Sequence, residues 1–173
     1  MNTTTINYTP GHQTYFAFEA DFVEDNVRCI PMIVRFKLDA CGIKLKLSEW
    51  SRFTVTERDE LADRPCASLE AIATYKQFLQ SLLLNRTGAT GTAIAVDEQP
   101  AWANTETVAA SLHEKVSEFG WEITNRQWMQ LSNLQRFALL KLCKPGHENR
   151  NFPIAMREFG LGAQKSSLRE AKS

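Results

Sequence analysis

The densest chemistry in the chain is the run His147, Glu148, Asn149, Arg150 and Asn151, five polar side chains in succession, followed by the apolar Phe152 and Pro153. A histidine beside a glutamate can exchange protons near neutral pH when the pair is partly buried. Adjacent residues in an extended segment point apart, however, so adjacency alone does not make a dyad. Two readings stand. In the plainer one, the Asn and Arg side chains satisfy backbone groups after a broken helix. In the functional one, His147 to Phe152 is a contact for a partner chain. Cys143 lies four residues before His147 and could donate to a metal with help from Cys66, yet Pro145 breaks the helix between them and one helical face cannot present both. We therefore assign no catalytic residue, metal or cofactor, and keep Cys66, Cys143 and His147 as an alternative only.

Composition excludes several classes. Lysine plus arginine and aspartate plus glutamate each number 20, and a chain of zero formal net charge lacks the basic excess that nucleic acid or an anionic membrane demands. No run approaches the roughly 20 apolar residues of a membrane span, and the start, MNTTTINYTPGHQ, has no signal-peptide pattern. A cytoplasmic protein is expected. The four cysteines, Cys29, Cys41, Cys66 and Cys143, form no CxxC pair and read as reduced thiols. TGATG lacks the lysine of a phosphate-binding loop, and the dinucleotide fingerprint, the HExxH helix, the calcium loop and the serine elbow are absent. A DNA-reading helix-turn-helix fails because LQRFALLKL is too apolar for a groove and TERDELADR is too acidic.

The polar run has to be carried by the segment before it. Leu134, Phe137, Leu139, Leu140 and Leu142 predict a helix covered on most of its circumference, stopped by Pro145 and Gly146. Pro153 opens a short helix through Phe159. Upstream, TETVAASLHEKVSEFG is amphipathic through Val108, Leu112, Val116 and Phe119 and is capped by Gly120.

Residues 30–47 read two ways. Alternation at Val34, Phe36, Leu38 and Ala40 suggests a strand with IKLKL completing a hairpin, while Ile30, Val34, Leu38 and Cys41 suggest a helix closed by Gly42. An internal match favours the helix. At a constant offset of 78 residues, Ile30, Val34, Leu38, Gly42, Trp50, Arg58 and Leu61 align with Val108, Leu112, Val116, Gly120, Trp128, Arg136 and Leu139. Thr54 with Glu57, and Ser132 with Gln135, then repeat a capping box after each tryptophan. Each copy reads as helix, Trp-bearing turn, helix, with Arg58 and Arg136 tying helices together or serving as secondary contact residues.

The expected fold is all-α, with two related halves at about 30–84 and 105–162, a linker at 85–104, and a short β element at 30–47 or 93–96. Together, residues 15–162 make one helical domain. A mobile start at 1–14 and a polar tail at 163–173 flank it. Tyr15, Phe16, Phe18 and Phe22, interleaved with acids, read as an aromatic arm packed across the body, or as an exposed patch in which Phe18 and Phe22 meet a partner.

FEADF (18–22), CIPMIVRFKLDACGIKLKLSEW (29–50), LQRFALLKL, GHENRNF (146–152) and EFGL (158–161) together resemble the nitrate reductase-associated protein family of cyanobacteria and some other bacteria. The likeness runs from about residue 15 to Leu161. It implies an accessory role with assimilatory nitrate reductase, supporting its maturation or activity by protein contact. It supplies no catalytic residues to carry over, and nothing in the sequence identifies an enzyme. Small proteins that deliver molybdenum cofactor or iron-sulfur clusters, and a regulator sensing a nitrogen metabolite, are the alternatives.

Overall fold

The computed structural model describes residues 5–8, 13–20 and 28–162, without the side chains of 5–8, 13, 14, 147 and 148. Phe22, its acidic neighbours and the tail from 163 lie outside the described residues. The described residues are mostly helical and fall into two compact units, Thr5–Glu98 and Gln99 onward.

In the first unit, β1 (Thr5–Tyr8) pairs antiparallel with β2 (Gln13–Phe16), Thr5 opposite Phe16. Part of the start expected to be mobile is thus a hairpin. The reason is legible afterwards: TINY and QTYF are rich in β-branched and aromatic residues and flank a Pro-Gly step. A 3₁₀ turn, Ala17–Glu19, follows. Tyr15, Phe16 and Phe18 are buried, and the Phe16 and Phe18 rings stack at 5.4 Å.

Helix α1 (Met32–Cys41) buries Val34, Leu38 and Cys41, the stripe of the helical reading. The hairpin reading of 30–47 is overturned. The strand there, β3 (Ile43–Lys44), pairs with β4 (Thr92–Ala93) rather than with residues 34–40. Gly42 explains the switch, since its left-handed φ of 71° ends the helix and turns the chain. Pro31 offers no cap to α1. Instead the buried Glu19 carboxylate accepts from the Met32 N–H at 2.6 Å and from the Phe16 N–H at 3.2 Å. A carboxylate is favoured where a helix leaves its first amides unpaired.

Helices α2 (Leu47–Trp50), α3 (Val55–Asp63) and α4 (Leu69–Thr87) complete this unit. Thr54 and Glu57 form the expected capping box. Glu57 also takes both forks of Arg86, with Nη2 at 2.7 Å, joining α3 to α4. These bonds, the arginine's first, hold the Glu57 carboxyl below its ordinary value. A depressed folded pKa stabilises above the unfolded value of about 4.5 and loses that contribution as pH falls through the folded one. Glu57→Gln is therefore expected to destabilise at pH 7, with the gap to wild type closing as urea midpoints are followed down below pH 4.5. A gap that stays constant with pH would remove the carboxylate from this account.

The second unit contains a 3₁₀ turn (Ala101–Ala103), then α5 (Ala110–Glu118), α6 (Asn125–Gln130), α7 (Asn133–Leu142), a further 3₁₀ turn (His147–Asn151) and α8 (Phe152–Glu158). Some positions paired at the offset of 78 residues share a local feature and others do not. Gly42 and Gly120 are both left-handed, with φ of 71° and 69°. Thr54 and Ser132 are both helix caps with a reciprocating residue three positions on. Trp50 and Trp128 lie on the short helices α2 and α6, not on turns as read from sequence, and both are buried.

Candidate functional site

The polar run sits between α7 and α8. Ser132 opens α7 by accepting from the Gln135 N–H at 3.1 Å, while Gln135 Oε1 accepts from the Ser132 N–H at 2.8 Å. Phe137, Ala138, Leu139 and Leu142 are buried, so α7 is covered on most sides as its composition requires. It ends at Cys143, whose N–H reaches the Leu139 carbonyl at 3.0 Å. Gly146, at φ 154° and ψ 179°, occupies a region open to glycine almost alone, and redirects the chain into the 3₁₀ turn. Phe152, Ala155 and Met156 are fully buried and pin α8 from the other side.

Between these anchors the five polar residues form a helical turn, not an extended loop. Asn149 is half-buried, Arg150 exposed and Asn151 only 9% exposed, and none of the three makes a side-chain hydrogen bond to a described residue. The Asn149 backbone is used, its N–H donating to the Gly146 carbonyl at 3.2 Å and its carbonyl accepting from the Phe152 N–H. This bears on the plainer reading of the run, in which these side chains satisfy the backbone. The backbone here pairs with itself. The side chains of His147 and Glu148 lie outside the described residues.

Beside the turn, the Phe152 ring lies 5.7 Å from that of Phe119, which stacks on Trp121 at 4.8 Å. Phe119 is 38% exposed. Farther along α8, Ile154 and Arg157 are exposed, and the Arg157 guanidinium lies over the Trp121 ring at 5.9 Å.

The other sequence candidates divide. Arg136 is buried at 3% exposure among carbonyls: Nε donates to the Trp102 carbonyl at 2.7 Å, Nη1 to those of Trp128 and Leu131, and Nη2 to Asn133 Oδ1. Burial pulls its pKa below the usual arginine value. Arg58, its counterpart in the first unit, is half-exposed and makes no side-chain hydrogen bond to a described residue. Phe18 is buried in the first unit.

Cys66 belongs to the first unit, Cys143 and His147 to the second. Among the described residues no three His, Cys, Asp or Glu side chains gather as a metal requires. Burial pushes the Cys143 thiol up to about 12 and the Cys66 thiol to about 11, away from the thiolate that binds metals. At pH 8 both should be alkylated by iodoacetamide roughly a hundredfold or more slower in the native protein than in urea. Mass-spectrometric mapping reads this, and rapid native alkylation of Cys143 would favour the metal alternative.

Fold and geometry together define a mostly helical protein with a polar turn between two buried anchors, in which the side chains of Asn149, Arg150 and Asn151 make no hydrogen bond to a described residue. The chain belongs to the conserved nitrate reductase-associated protein family, whose model matches residues 15–159. No curated protein and no solved structure matches it. Among the described residues no helix is long and apolar enough to cross a membrane.

Proposed function

We propose that this protein is a cytoplasmic accessory of assimilatory nitrate reductase that supports the enzyme's maturation or activity by direct contact, using the turn His147–Asn151 with Phe152 as its anchor. Membership of a family described by its association with nitrate reductase supports the partner. One observation supports the site: Asn149, Arg150 and Asn151 are held on a fixed turn while their side chains make no hydrogen bond to a described residue. Polar groups ordered at an entropic cost and left unused are groups a second chain can use. The two units further read as descendants of one duplicated element, of which the second copy alone acquired this turn. Their support is the shared glycine, tryptophan and capping positions at an offset of 78 residues.

Affinity-tagged protein purified from its native host is expected to bring nitrate reductase with it, and a deletion strain to lose nitrate-reducing activity. A purification without reductase, together with undiminished nitrate reduction in the deletion strain, would refute the proposal.

A further inference from the structure

The 3₁₀ turn runs into α8 without a break, because Asn151 (φ −80°, ψ −11°) and Phe152 (φ −54°, ψ −52°) are both right-handed. Arg150, Ile154 and Arg157 therefore follow the spacing i, i+4, i+7 and share one face, spanning about 10 Å of helix axis. All three are exposed, Ile154 at 48%. The opposite face is fixed by the fully buried Phe152, Ala155 and Met156, so the helix cannot roll to hide Ile154. Neither arginine forms an ion pair or side-chain hydrogen bond with a described residue. Trp121 holds the Arg157 guanidinium by its face, which leaves the N–H edges directed elsewhere.

Cation, apolar residue, cation, with two forked donors, is the complement of one kind of ligand. We propose that the stripe Arg150–Ile154–Arg157 seats an acidic amphipathic segment of a partner protein. Two of its carboxylates, about two helical turns apart, take the guanidinium forks, and an apolar residue between them covers Ile154. The chain carries no net charge, so the attraction is local and screened within roughly 8 Å at physiological salt. This inference rests on the reading of the same turn as the reductase contact and specifies its chemistry.

The test has two arms, each run on the full chain and on R150E/R157E. In the first, a labelled helical peptide with two glutamates seven positions apart bracketing a leucine is titrated by fluorescence anisotropy, beside a control with lysines in their place. Wild type should bind the acidic peptide at least tenfold more tightly than the lysine peptide, with affinity falling as salt rises. R150E/R157E should reverse the preference. No preference in wild type, or no change in the variant, overturns the proposal. In the second arm, reductase is captured with wild type and variant. Capture by both alike sinks the stripe but leaves the reductase reading standing. Acidic-peptide preference without reductase capture by wild type keeps the stripe and sinks the reductase reading. Should R150E/R157E unfold, R150E alone serves in both arms, since the Arg150 side chain makes no hydrogen bond to a described residue.

Discussion

Replacing Arg136 by alanine should cost the unit that begins at Gln99 about 3–5 kcal/mol, measured as the loss of slowest-exchanging amide protection and as a shifted urea midpoint. The size follows from what is stranded. The carbonyls of Trp102 and Leu131 lose this donor, while that of Trp128 keeps the Leu131 N–H and the exposed Asn133 amide turns to water. A buried acceptor left without a donor costs about 1–3 kcal/mol, reduced here by whatever water enters the space vacated. Two of those carbonyls end α6, where a cation is favoured by the helix dipole as well as by hydrogen bonding. Lysine would keep the charge but not the planar fork that reaches several acceptors, so Arg136→Lys should recover less than half of the loss. Arg58→Ala is the control. It occupies the matching position in the first unit, makes no such bonds, and should change stability by about 0.5 kcal/mol or less. Equal losses at the two sites would show that the carbonyl network is not what stabilises the second unit.

Gly42→Ala should cost about 3 kcal/mol or more, against roughly 1–2 kcal/mol for Gly120→Ala. Both glycines have nearly the same left-handed φ, so the backbone penalty is shared. Their surroundings are not. A Cβ at Gly42 would stand 2.9 Å from the Ile94 carbonyl oxygen and 3.0 Å from Val96 Cγ2, whereas one at Gly120 would meet nothing within 4 Å. Relief at Gly42 requires moving backbone, and the backbone concerned is held by the Ile94 N–H bond to the Gly42 carbonyl at 2.9 Å beside the β3–β4 pair. Thermal unfolding of the two single variants separates the terms. A Gly42→Ala loss no greater than that of Gly120→Ala would mean that the segment at 94–96 yields freely.

Much of this architecture could be read from residue types, because the signals were local. Val34, Leu38 and Cys41 at helical spacing, Gly42 at their end, and Thr54 or Ser132 three residues before Glu57 or Gln135 each fix a structure within a few residues. What escaped was set by distant partners. Glu19 caps a helix thirteen residues away, which its own neighbours give no sign of. Strand β3 finds β4 across the whole of α4, so the IKLKL segment suggested a partner that was nearer and wrong. Arg58 and Arg136 look equivalent in sequence and differ because only the second has turned carbonyls of Trp102, Trp128 and Leu131 around it. At the candidate site, His147 to Asn151 was conspicuous by polarity alone, but its helical shape was not. Ile154 and Arg157 join Arg150 only once that turn is known to continue into α8.

The carboxylate of Glu19 has a consequence for where this protein can be cut. A chain begun at Ile30 would keep every residue of α1, yet it would discard the acceptor for the Met32 amide and the buried Tyr15, Phe16 and Phe18 as well. A cut between Phe18 and Met32 therefore separates groups that the first unit holds together. The span shared across the family starts at residue 15 and stops one residue past α8. The first residue of that span, Tyr15, is an aromatic side chain buried in the first unit.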